Sequence, residues 1–99
     1  MLFRSILGID PVKETLFSAS FGHLMGGYDA GYYGYLWSKV YAQDMFTTFK
    51  ARGVMNSAVG RRYREEILEL GSSREEMESL KAFLGREPNE DAFLKSIGL

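Results

Sequence analysis

Residues 28–50 read Tyr28-Asp-Ala-Gly-Tyr-Tyr-Gly-Tyr-Leu-Trp-Ser-Lys-Val-Tyr-Ala-Gln-Asp-Met-Phe-Thr-Thr-Phe-Lys50. Wound as a helix from Tyr28 or Ala30 to about Lys50, this stretch puts Lys39, Gln43, Thr47 and Lys50 on one narrow polar stripe. Leu36, Trp37, Val40, Tyr41, Met45 and Phe49 fill most of the remaining circumference. A helix with so thin a wet face belongs in the middle of a packed bundle. Arg52-Gly53 ends it.

Towards the C-terminus the pattern stays helical. Asn56 or Ser57 is placed to cap a second helix with Val59, Tyr63, Ile67 and Leu70 as its core stripe, and Gly71 stops it. Ser73 followed three residues later by Glu76 reads as a capping box. It opens a third helix with Met77, Leu80, Phe83 and Leu84 inside, closed by Gly85. Pro88-Asn89 starts a fourth, short helix carrying Phe93, Leu94 and Ile97, with Gly98 as its stop. Towards the N-terminus, residues Pro11 to Gly27 show no sustained period and read as a loop. Met1 to Leu7 read as the last turns of a helix, with Gly8 as its stop and Asp10-Pro11 as a turn. Period-2 alternation persists nowhere and no internal repeat occurs. The expected fold class is all-α, with about four helices.

Composition narrows the function. The chain has 99 residues, one domain or a piece of one. A chain of this size buries roughly 65% of its unfolded surface, enough for one modest core. Twelve basic and thirteen acidic side chains leave a formal charge of −1, so no long-range field favours nucleic acid or anionic lipid. The Arg61-Arg62-Tyr63-Arg64 run is followed by Glu65, Glu66 and Glu69 and reads as a solvated helix face. Zero cysteines exclude a disulfide framework, a thiolate metal site and a cysteine nucleophile. Arg4 and Ser5 break the opening apolar run, which is too short for a signal peptide. No stretch approaches the ~20 apolar residues of a membrane span. We expect a soluble, cytoplasmic chain.

Residues 21–37 concentrate the chemistry. They hold four of the six tyrosines, five of the eleven glycines, the only histidine and the only tryptophan. Each glycine costs roughly 1 kcal/mol relative to alanine inside a helix, so a plain core helix would not choose them. Hydroxyl-tipped rings beside a mobile backbone suggest a surface that closes on a ligand. Tyr28, Tyr32 and Tyr35 are spaced four and three apart, which on a helix gives them one face. By spacing alone, such a stripe reads more often as core or interface packing, and a lone histidine more often as a structural residue.

The segment Phe-Gly-His-Leu-Met-Gly-Gly-Tyr-Asp-Ala-Gly-Tyr-Tyr-Gly-Tyr-Leu-Trp-Ser (residues 21–38) resembles the stretch after the zinc site in the thimet oligopeptidase, neurolysin and oligopeptidase A family of zinc metallopeptidases. Ile6-Leu7-Gly8-Ile9, Val40-Tyr41-Ala42-Gln43-Asp44-Met45-Phe46, Gly53-Val54-Met55-Asn56, Tyr63-Arg64, Gly85-Arg86-Glu87-Pro88-Asn89 and Ala92-Phe93-Leu94 look like further family blocks in the expected order. The resemblance covers essentially the whole chain. Lys39 in place of an acidic residue, Gly71-Ser72-Ser73 in place of Gly-Gly-Ser, and the bulky Met25 depart from the family pattern.

What the resemblance implies is specific. Zinc in such enzymes is held by a helical His-Glu-x-x-His motif and a downstream glutamate, all upstream of this region. With one histidine, this chain cannot supply the usual three protein ligands of a catalytic zinc site. Residues 1–99 are therefore expected to form a single partial domain, the C-terminal catalytic-domain segment, with no metal ligand of its own. Its partners would be a short peptide substrate and the upstream zinc-binding portion of the same enzyme, and in isolation it would be inactive. By resemblance Tyr35, His23 and Tyr32 are the catalytic candidates, with Tyr35 a donor to the tetrahedral intermediate. A phenol suits that role as a neutral donor. Tyr28, Gly26, Gly27 and Gly31 would bind substrate, and together with Gly22 the glycines would let the loop shut. Tyr33, Trp37 and Tyr41 are assigned to packing. Asp44, on a largely apolar face, is expected to be paired or to cap, and Arg86-Glu87 to form a structural turn before Pro88. A small helical interaction module that kept the fold without the chemistry is the alternative. A bare apolar helix at 28–50 would also favour self-association.

Overall fold

The computed structural model describes residues 8, 10 and 12–99. The helix expected over Met1–Leu7 lies outside the described residues. Among the described residues there are five α-helices and no strand, which makes the chain all-α. They are α1 (Phe17–Ser20), α2 (Gly34–Arg52), α3 (Ser57–Tyr63), α4 (Glu76–Leu84) and α5 (Asp91–Ser96). A 3₁₀ turn spans Gly22–Leu24, and a π-helical turn, Arg64–Leu68, continues α3. The four expected helices are α2 to α5; α1 is a single turn inside the stretch read as loop. No helix among the described residues is long and apolar enough to cross a membrane. The chain divides into two compact units, one reaching to Tyr32 and the other Tyr33–Leu99.

The second unit is built around α2. That helix starts at Gly34, not at Tyr28 or Ala30. The preceding residues run in turns because Gly27, Gly31 and Gly34 weaken any helix laid across them. α3, α4 and α5 all pack on α2. Val40, Val59, Leu80 and Phe83 are buried. At their centre Phe49, Tyr63 and Phe83 form a ring triangle, with centroids 5.8, 6.0 and 5.6 Å apart. The two pairs involving Tyr63 are edge-to-face, the arrangement favoured by the ring quadrupole. Tyr35, Leu36 and Trp37 in the first turn of α2 stay about half exposed, and Val40 and Asp44 are its buried residues, so the helix is more open than the middle of a packed bundle expected for it.

Local signals set most of the boundaries. Asn56 Oδ1 accepts hydrogen bonds from the N–H groups of Ala58 (3.0 Å) and Val59 (3.3 Å), the expected cap of α3. Its Nδ2 also donates to the Arg52 carbonyl at 3.0 Å, tying the end of α2 to the start of α3. The capping box expected at Ser73 does not form. α4 begins at Glu76, with Glu75 in the cap position and no side-chain cap. The chain spends residues 69–75 in turns, and Arg74 instead bonds Ser79 Oγ (3.1 Å) and Glu66 Oε2 (3.0 Å). In the arginine run Arg61 and Arg64 are exposed as expected, and Arg62 departs from the solvated face. Arg62 Nη2 donates to the carbonyls of Ala82 (2.9 Å) and Phe83 (2.7 Å), supplying donors to the end of α4, and its guanidinium lies over the Phe83 ring.

One buried charge fastens the C-terminal tail. Asp44 is fully buried on α2. Arg86 donates to both its oxygens, from Nη1 at 2.9 Å and from Nη2 at 2.5 Å. The Asn89 N–H adds a third bond at 2.9 Å. Burial pushes the Asp44 carboxyl up, but the bonds from Arg86 and Asn89 and the guanidinium charge outweigh it and hold the group below its ordinary value. The same pairing raises Arg86, first through its hydrogen bonds to Asp44. Asp44 is thus paired, as expected from the sequence, and Arg86, expected only to form a turn, is its partner.

Candidate functional site

In the first unit the sequence between Phe17 and Tyr32 doubles back on itself twice. The Phe21 carbonyl accepts from Leu24 N–H at 3.1 Å and closes the 3₁₀ turn. The His23 carbonyl accepts from both Gly26 N–H (3.2 Å) and Tyr28 N–H (3.1 Å), and Tyr28 C=O accepts from Tyr32 N–H at 3.2 Å. Two glycines make this path possible. A Cβ on Gly26 would stand 3.2 Å from the Gly22 carbonyl oxygen, tighter than an ordinary contact. Gly27 adopts a φ of +87°, which side-chain-bearing residues rarely do.

These turns bring four rings together. His23 lies 5.2 Å from Tyr32, 5.6 Å from Phe21 and 5.7 Å from Tyr28, centroid to centroid. Phe21 meets Tyr32 edge-to-face at 4.7 Å. The rings, with Ser20, Gly22 and Gly26, line an open concavity of about 640 Å³. Tyr28 and Tyr32 remain partly exposed.

Of the expected site residues, His23, Tyr28, Tyr32 and Gly26 line this concavity. Gly31 sits against Tyr28, 3.9 Å from its ring to a built Cβ. Gly27 supplies the turn. Tyr35 stands in the second unit, in the first turn of α2, about half exposed. The shared helical face expected for Tyr28, Tyr32 and Tyr35 does not exist, because the first two lie in turns ahead of the helix. Phe21 is the cluster member that the sequence reading passed over: it has no polar atom and no helical spacing to the tyrosines. The second unit has a cavity of about 490 Å³ between α2 and α5, walled by the Asp44–Arg86 pair, Lys50 and Lys95, and it holds none of the expected site residues. Among the described residues, no group of three or more His, Asp or Glu side chains is placed to hold a metal ion.

Comparison with known proteins decides the family. The profile of peptidase family M3 matches residues 2–99. The chain belongs to peptidase family M3. This M3 chain is similar to a thimet-like oligopeptidase of Dictyostelium discoideum, 49% identical over 87 residues, which is 88% of this chain and 13% of that protein. It is 51% identical over 81 residues to saccharolysin of Saccharomyces cerevisiae, 81% of this chain and 11% of the relative. To oligopeptidase A of Escherichia coli it is 44% identical over 84 residues, 84% of this chain and 12% of the relative. The M3 chain therefore spans about an eighth of the length of the relatives it matches.

Proposed function

We propose that this chain is the C-terminal, substrate-binding segment of a cytoplasmic M3 oligopeptidase that hydrolyses short peptides. The observation that carries the reading is the gathering of His23, Tyr28 and Tyr32 around one open concavity, within a chain matched by the family profile almost from end to end. In this reading His23 and Tyr32 hydrogen-bond the peptide, the Tyr28 ring covers it, and the turn at Gly26-Gly27 lets the loop close and exclude water. The Tyr35 phenol donates to the scissile carbonyl oxygen as it gains negative charge. The residues present do not make a zinc site: the lone histidine has no second or third ligand grouped with it among the described residues. In this reading zinc is held by the upstream portion of the enzyme.

The test is Tyr35→Phe in the complete peptidase carrying this segment. A kcat lower by about 10²–10³, with KM little changed, is the expected result. An unaltered kcat would remove Tyr35 from the chemistry. The 99 residues alone should show no peptidase activity, and zinc-dependent turnover by them would contradict the reading.

A second reading, a small helical interaction module, is favoured by the half-exposed Leu36 and Trp37 on α2. On either reading, that face drives self-association of the isolated chain.

A further inference from the structure

We infer that Phe21 is a positioning residue for this site, its ring setting the orientation of His23 and Tyr32 towards the bound peptide; the inference rests on reading the cluster as peptide-binding. Among described residues 8–32, Phe21 alone is half-buried, while all the others are exposed. Its ring makes three contacts at once: edge-to-face with Tyr32 at 85°, tilted against His23 at 51°, and stacked on Phe17 at 20°.

Phe21 has no side-chain donor or acceptor, so any effect on chemistry must pass through its neighbours. Those neighbours need it. His23 lies in a three-residue 3₁₀ turn and Tyr32 in a turn ahead of α2, so no long helix restrains either rotamer. Edge-to-face packing has a preferred direction, because the positive ring edge seeks the negative face. Phe21 closes a triangle of rings with His23 and Tyr32, so its flat ring favours one orientation of Tyr32 through the edge-to-face contact and limits His23 through the tilted one. The Phe21 carbonyl accepts from Leu24 N–H and closes the turn that carries His23, a backbone bond that any residue here would keep, so substitution at 21 tests the ring alone. An aliphatic side chain of similar volume would fill the space but lose the directional preference.

The experiment compares Phe21→Leu with Phe21→Tyr. In the 99-residue chain, three-bond couplings and NOEs from two-dimensional NMR read the χ1 rotamers of His23 and Tyr32, with Tyr63 and Phe83 as controls for the second unit. Phe21→Leu should spread His23 and Tyr32 over several rotamers while the controls stay fixed, and Phe21→Tyr should restore the single rotamers. Unchanged His23 and Tyr32 rotamers in Phe21→Leu, or no restoration by Phe21→Tyr, would overturn the inference. In the complete peptidase, Phe21→Leu should lower kcat/KM about 10-fold, mainly through kcat, with Phe21→Tyr near the parent. If His23→Ala and Tyr32→Phe lose turnover but Phe21→Leu does not, the positioning role alone fails. If His23→Ala and Tyr32→Phe also leave turnover intact, the peptide-binding reading fails and takes this inference with it.

Discussion

Replacing Arg86 with methionine keeps the length of the side chain and removes its charge and donors, leaving the Asp44 carboxylate behind. Asp44 has a side-chain exposure of 1%, against 42% for Arg86. Two of the three hydrogen bonds that the carboxylate receives vanish, and only the Asn89 N–H remains. Stripping one partner from a buried ion pair costs roughly 3–5 kcal/mol. Because the Arg86 side is partly open, water reaches the vacated position, and the low end, about 3 kcal/mol, applies. In a domain of this size 1 kcal/mol moves Tm by roughly 4–8 °C, so a fall of about 12–24 °C is expected. Thermal and urea unfolding followed by circular dichroism measure it. Asp44→Asn, which keeps the shape and trades charge-assisted bonds for neutral ones, should lose only about 1–2 kcal/mol. Asp44→Leu combined with Arg86→Met should recover much of the loss, since an apolar pair leaves no stranded charge. A change below about 0.5 kcal/mol for Arg86→Met would refute the claim that this pair fastens the tail to α2.

Acid should act through the same carboxylate. Its folded value lies below the ordinary one, so its contribution is fully present above the unfolded carboxylate value of about 4 and is lost as pH falls through the lower folded value. Titrating Tm should show a steeper acid decline for the parent than for Asp44→Asn; parallel curves would contradict this. Asn56→Ala removes the α3 cap and the bond to Arg52, and should lower stability by about 1–2 kcal/mol in urea unfolding, with Asn56→Asp intermediate because it keeps the cap alone. Leu36→Lys should shift the isolated chain towards monomer in light scattering, given the half-exposed face it interrupts; a parent that is already a clean monomer at high concentration counts against self-association.

Much of the fold can be read along the chain because its punctuation is local. Gly53 and Asn56 bound α2 and α3 where residue chemistry puts them, and Gly85 ends α4 with a left-handed φ of +72°. Two starts were misread for physical reasons. The Tyr28–Tyr33 stretch has helix-compatible side chains, yet the glycines around it release the backbone into turns. Ser73 carries the cap signature, but Arg74 is held by Glu66 and Ser79, and the helix opens three residues later. The candidate site divides the same way. His23, Tyr28 and Tyr32 stand out by residue type, whereas Phe21 meets His23 and Tyr32 at ring angles that no spacing rule encodes. Asp44 stood out as an oddity on an apolar face, but Arg86 lies 42 residues further on, beyond the reach of any periodicity.

The long helix has a mechanical side as well. Nineteen residues make a rod of about 28 Å, and Tyr35 sits one step inside its N-terminal end. The clamp from the tail grips that rod nine residues further along, about 14 Å away. If Tyr35 donates to the scissile carbonyl as proposed, a loosened grip would shift the rod that carries it, and such a donor tolerates little wander. Injury to the tail at Arg86 should therefore be felt as misaim at Tyr35, at a distance that no direct contact spans.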